Sequence, residues 1–113
     1  MDCIFCRIIS GDMPSDIVYR DDEVIGFNDI NPKAPTHVLF IPRRHVSTTN
    51  DFNKQDAALI GKLTLAAQQY AKEQGFAEDG YRLVTNCNGM AGQTVYHVHL
   101  HLLAGRPLSW PPG

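Results

Sequence analysis

The chain has 113 residues, 43% of them hydrophobic, and a formal net charge of −2. That length supports one domain, residues 1–113, with a core of its own, and the near-neutral balance gives no support for a nucleic acid or a membrane surface as partner. No run approaches the roughly 20 apolar residues of a membrane helix, the first residues lack the basic and apolar regions of a signal peptide, and three cysteines suit a reducing compartment better than a disulfide framework; the expected location is cytoplasmic.

Residues 3–9 are a compact apolar start, one or two helical turns closed by Gly11. Residues 16–20 and 24–28 are short β-like runs that flank Asp21-Asp22, so they read as a hairpin. Pro32 and Pro35 make residues 31–36 a loop. Val38-Leu39-Phe40-Ile41 is a continuous apolar run, expected as a buried central strand ended by Pro42. The one strong helix lies between residues 54 and 74, where Ile60, Leu63, Ala67 and Tyr70 recur at three- and four-residue spacing. Asn53 suits its N-cap, with Asp56 near the positive helix end, and Gly75 suits its C-terminal stop. Residues 81–85 form another strand, residues 86–93 a Gly-rich loop, and a histidine-bearing strand follows. The sum is an α+β fold: an antiparallel sheet of about five strands, one main helix and a short N-terminal helix.

That last strand reads His97-Val98-His99-Leu100-His101-Leu102-Leu103. On a strand, alternate side chains share a face, so Val98, Leu100 and Leu102 turn to a core and the three histidines stand in a row opposite. One histidine on a strand is ordinarily a polar surface residue; three at strict alternation describe a built site for proton transfer, nucleophilic attack or metal binding. In-line side chains diverge, however, and a tetrahedral metal draws its ligands from several segments. Gly92-Gln93-Thr94, just upstream, offers backbone amides, a side-chain amide and a hydroxyl to a phosphate. Cys3-Ile4-Phe5-Cys6, taken alone, is open between a redox pair, a metal site and two buried free thiols. Asp29, taken alone, caps the loop before Asn31-Pro32, and His37 reads equally as a satisfied histidine at a strand start. Cys87 has no assigned role.

The histidine run matches the His-φ-His-φ-His-φ-φ signature (φ apolar) of the histidine triad, or HIT, superfamily. The surrounding sequence resembles its Hint branch, the nucleoside phosphoramidate hydrolases, at Ile4-Phe5 with Ile8-Ile9 and over residues 14–19, 27–36, 80–86 and 92–113, which end in Trp110-Pro111-Pro112-Gly113. The resemblance covers essentially the whole chain. It implies a HIT-like fold and a homodimer whose two sheets join into one.

The catalytic set it implies is His99, His101, His97, His37 and Thr94. His99 would attack the α-phosphorus as a neutral imidazole and form a nucleotidyl-histidine that water hydrolyses. His101, one pleat away, would bond the phosphoryl oxygens, and His37 would orient the triad from behind. Thr94 stands where Hint proteins place a serine near the leaving group, which keeps the hydroxyl and adds a methyl. Phe27-Asn28-Asp29-Ile30 resembles the family's Phe-x-Asp-Ile pattern, with Asp29 and Asn86 on the ribose and Phe27 and Ile30 walling a purine pocket. Gly92, Gln93 and Thr94 would cradle the phosphate, and Trp110 would reach toward the partner's site. The ligand implied is a purine nucleotide of AMP or GMP type, with no catalytic metal. Relatives with an N-terminal Cys-x-x-Cys hold structural zinc, which here implies Cys3, Cys6, His45 and His97. The leading function is hydrolysis of purine nucleoside phosphoramidates. Two others stay open: a HIT enzyme cleaving dinucleoside polyphosphates, and a nucleotide-binding interaction protein with incidental catalysis.

Overall fold

The computed structural model describes residues 2–113. Helix α1 spans Ile4–Ser10: the Cys6 N–H donates to Cys3 Sγ at its start, and Gly11, at φ 88°, ends it with an N–H to the Ile8 carbonyl. A hairpin of β1 (Ile17–Arg20) and β2 (Val24–Asn28) follows. Its turn is set by Asp21, whose Oδ1 accepts from the N–H groups of Glu23 and Val24. Strand β3 spans Thr36–Pro42, helix α2 Ala57–Gln74, β4 Arg82–Val84 and β5 Leu100–Ala104. The five strands form one antiparallel sheet in the order β1-β2-β3-β5-β4.

Two layers cover the sheet. Val24, Val38, Phe40, Leu102 and Ala104 pack under Leu63, Ala66 and Ala67 of α2. Ile25, Phe27, Leu39 and Ile41 turn to the other face, beneath Phe5 and Ile8 of α1. Phe27 pairs with Leu39, and Leu39 with His101. Because alternate residues share a face, this register puts the histidines on the α1 side.

Three expectations differ in detail. α2 begins a turn later than its periodicity suggests: Asn53 and Asp56 do form a reciprocal cap, but around a 3₁₀ turn at Lys54–Asp56. Its buried stripe is Leu63, Ala66, Ala67 and Ala71, while Ile60 remains 43% exposed. The small alanines let α2 lie close to the sheet. The ladder of β5 starts only at Leu100, because the Val98 N–H is taken by the Val46 carbonyl at 2.7 Å. The period-two alternation nevertheless runs through His97. No helix among the described residues is long and apolar enough to cross a membrane.

Candidate active site

His97, His99 and His101 follow one another along the α1-facing side, with His99 and His101 ring centroids 4.9 Å apart. Neighbours assign the protons of their rings. The His99 Nδ1–H donates to the His97 carbonyl at 2.8 Å, which leaves Nε2 as a free lone pair. His37 Nδ1 accepts the Lys33 N–H at 3.0 Å, so in the neutral ring the proton sits on Nε2. That proton is donated to His101 Nδ1 at 2.9 Å, and His101 in turn carries its own on Nε2. The geometry thus sets a bare nitrogen on His99 beside an N–H donor on His101. A nucleophile next to a donor for developing negative charge is what phosphoryl or nucleotidyl transfer requires.

Burial pushes the ring pKa values down. His101 falls to about 4, chiefly by burial, with His99 and His37 adding to the shift. His99 and His37 are lowered by the same cause. All are therefore neutral at physiological pH.

His99 and His101 line a cavity of about 310 Å³ together with Phe5, Phe27, Asp29 and Ile30, at the low end of the roughly 300–1,000 Å³ of small-molecule sites. Phe5, matched in the family resemblance but not assigned to the pocket there, meets Phe27 edge-on at 5.3 Å and His99 at 5.2 Å. Its place on the helix that begins in the Cys-x-x-Cys was the available signal. Asp29 does both things open to it: Oδ1 accepts the Asn31 N–H at 2.8 Å, capping its loop, while Oδ2 lies 3.5 Å from His37 Nε2.

Asp29, His37 and His101 also lie close enough to hold a metal ion, but the Lys33 N–H argues against it. A metal on His37 Nε2 needs the proton on Nδ1, where it would face another donor.

Other expected residues lie elsewhere. The Gln93 amide bonds within its own loop, donating to the Ser47 and Val95 carbonyls and accepting the Asn88 N–H. Its backbone N–H goes to the Asn88 carbonyl, so no donor remains for a phosphate. Gly92, at φ 84°, closes the 3₁₀ turn Gly89–Ala91. Thr94 does line the cavity; Asn86 and Trp110 do not. Trp110 is 80% exposed, on a tail held by Arg82, which donates to the Ser109 carbonyl at 2.9 Å.

At the other end of the row, His97 is fully buried. Its Nε2–H donates to the Pro42 carbonyl at 2.8 Å, so the Nδ1 lone pair turns outward. It points at Cys3 Sγ (3.5 Å), Cys6 Sγ (3.6 Å) and His45 Nδ1 (3.2 Å). Cys6 Sγ is 3.4 Å from His45 Nδ1. These four residues could hold a metal ion.

Comparison with known proteins agrees with this layout. The family model for the scavenger mRNA decapping enzyme C-terminal binding domain matches residues 2–108. A crystal structure of a HIT family hydrolase from Legionella pneumophila Philadelphia 1 superposes with a TM-score of 0.97 at 47% identity, covering 99% of this chain and 100% of that one. The chain belongs to the histidine triad family. A histidine triad protein from Clostridium difficile shares 42% identity at a TM-score of 0.94, over 96% of this chain and 95% of that one. The purine nucleoside phosphoramidase of Escherichia coli K12 is 50% identical over 105 residues, 93% of this chain and 88% of that protein.

Proposed function

We propose that this histidine triad protein hydrolyses purine nucleoside phosphoramidates, releasing the nucleoside monophosphate and the free amine. The single observation that carries the chemistry is the His99 ring, buried, held by the His97 carbonyl and bare at Nε2. Half of the sequence is shared with a purine nucleoside phosphoramidase, which supports the substrate class.

In this reading the base lies between Phe5, Phe27 and Ile30, and Asp29 accepts hydrogen bonds from the ribose hydroxyls. His99 Nε2 attacks phosphorus, the P–N bond breaks, and the departing nitrogen takes up a proton from water on the side lined by Thr94. The His101 Nε2–H bonds the phosphoryl oxygens as charge gathers there. Water then cleaves the P–N bond to His99 and restores the free ring. The route places the attack and the charge stabilisation on side chains, with no metal at the phosphate.

The Cys3, Cys6, His45 and His97 cluster fits zinc. Tetrahedral zinc with sulfur at about 2.3 Å and nitrogen at about 2.0 Å separates its ligand atoms by roughly 3.3–3.8 Å, close to the 3.2–3.6 Å spacings here. A cation would take the His97 and His45 Nδ1 lone pairs, which lie 3.2 Å apart. Such an ion would supply structure, fastening α1 to the histidine segment.

The protein so described is a single domain that works as a cytoplasmic homodimer. Its short edge strand β4 would pair with its copy, and Trp110 would reach the partner's site.

The deciding experiment is steady-state cleavage of a fluorogenic adenosine phosphoramidate, wild type beside His99→Ala. Turnover that falls at least a thousand-fold in the variant while AMP still binds is expected. Equal turnover in both would sink the nucleophile assignment; AMP binding without any turnover by the wild type would favour a nucleotide-binding protein.

A further inference from the structure

The nucleotide cavity does not end at the histidines. A second and larger cavity, about 720 Å³, adjoins it, and Ile4, Met13, Thr94 and Val95 line both. The nucleotide cavity already accounts for base, ribose and phosphate: it holds the apolar walls, Asp29, His99 and His101. What it lacks is space assigned to the group that leaves phosphorus. In an in-line displacement that group departs on the side away from the attacking nitrogen, and Thr94 stands at the passage between the two cavities.

The larger cavity is not a featureless groove. Arg7, from the middle of α1, lines it along with Asp2, Ser47 and Tyr96. Among the described residues Arg7 has no ion pair and no side-chain hydrogen bond. Elsewhere on the molecule, Arg44 is tied to Asp56 and Lys62 to Glu23. Arg7 is thus an unengaged, always-charged planar fork on α1, and such a fork matches a planar anion; on an amine leaving group that anion is a carboxylate. Asp2 is the opposing charge in the cavity; it precedes the first helical residue and is fully on the exposed side.

We propose that this cavity is a leaving-group subsite and that Arg7 makes it selective for amines bearing a carboxylate, such as an amino acid joined to the nucleotide through nitrogen. The inference rests on the phosphoramidate reading above and narrows it. An amino acid bound in this way has lost its ammonium charge to the P–N bond, so only its carboxylate remains for recognition. Arg7 complements that one charge, while Asp2 meets the ammonium only after cleavage. The chemistry is unchanged: the His99–phosphorus bond forms, the P–N bond breaks, and the nitrogen leaves as the amine with one proton from water, a second solvent proton then making it the ammonium.

The test uses two adenosine phosphoramidates, one of glycine and one of glycinamide, which differ in the carboxylate charge. The readout is the ratio of their kcat/KM values in the wild type, Arg7→Gln and Arg7→Glu. Differences in intrinsic leaving ability are common to all three proteins and cancel between them. Relative to wild type, the glycine-to-glycinamide ratio should fall about five- to ten-fold in Arg7→Gln, the scale of one partly exposed charged contact, and further in Arg7→Glu. A ratio that stays constant across the three proteins, with both compounds cleaved, overturns the subsite and leaves the hydrolase reading standing. Cleavage of neither compound by the wild type overturns both. Arg7→Gln should keep nearly the wild-type melting temperature, since the side chain is exposed, while Arg7→Glu should lower it slightly, because Arg7 is the basic residue of the last turn of α1.

Discussion

Four histidines owe their proton positions to four backbone groups or neighbours, and these small bonds decide what each ring can do. The chain of donation from the Lys33 N–H through His37 to His101 makes His37 a residue that acts through another. His37→Leu should lower kcat at least ten-fold with little change in KM, because His101 loses the partner that fixes its tautomer. His37→Gln, whose amide can still donate to His101 Nδ1, should recover part of that loss; equal loss in both variants would show packing to be the cause. The pKa directions give a second expectation. Burial holds His101 near 4, below the roughly 6.5 of a free imidazole. Between those values the unfolded chain binds protons that the folded chain refuses, so stability is complete above about pH 6.5 and lost as pH falls toward 4. The urea midpoint should therefore drop steadily from pH 7 to pH 4.5. A midpoint that stays flat across this range would remove the buried rings as the cause.

Among the elements, the pairing of β2 with β3 is the least tolerant. Gly26 lies where an added Cβ would stand 2.8 Å from Phe40 Cε1 and 3.0 Å from Tyr19 Cβ. Phe40 is fully buried and cannot retreat without disturbing the α2 layer. Gly26→Ala should destabilise the fold by about 1–3 kcal/mol, read as a shift in the denaturant midpoint at unchanged slope. The start of α2 is more forgiving. Asn53 holds the Gln55 N–H, and the Asp56 carboxylate returns to the Asn53 N–H and meets Arg44. Asn53→Ala should cost about 1 kcal/mol and leave activity alone, since the cap lies outside the nucleotide cavity.

Across the whole molecule, His97 connects two centres. Its Nδ1 belongs to the cysteine cluster and its carbonyl holds His99. If zinc occupies the cluster, about one zinc per chain should appear by elemental analysis of a tag-free sample never exposed to chelator. Stripping it should lower both the melting temperature and kcat, whereas the absence of zinc would sink the assignment. Light scattering should give twice the 12.6 kDa chain mass if β4 pairs with its copy; the monomer mass would leave Trp110 exposed with no partner site to reach.

Period-two and period-three-to-four patterns were enough to place nearly every element, because alternation is dictated by which face is buried. Gly11 and Gly75, both left-handed, announced their helix ends. The family signature, too, is a local string, and it marks the histidine row by itself. The tertiary structure decided what local strings do not encode. It spent the Gln93 amide inside its loop, set the Lys33 N–H against His37, brought Phe5 over the cavity and left Arg7 unengaged beside it. Each of these depends on groups far apart in sequence or on a single hydrogen bond, and a side chain's chemistry is fixed only when its partners are.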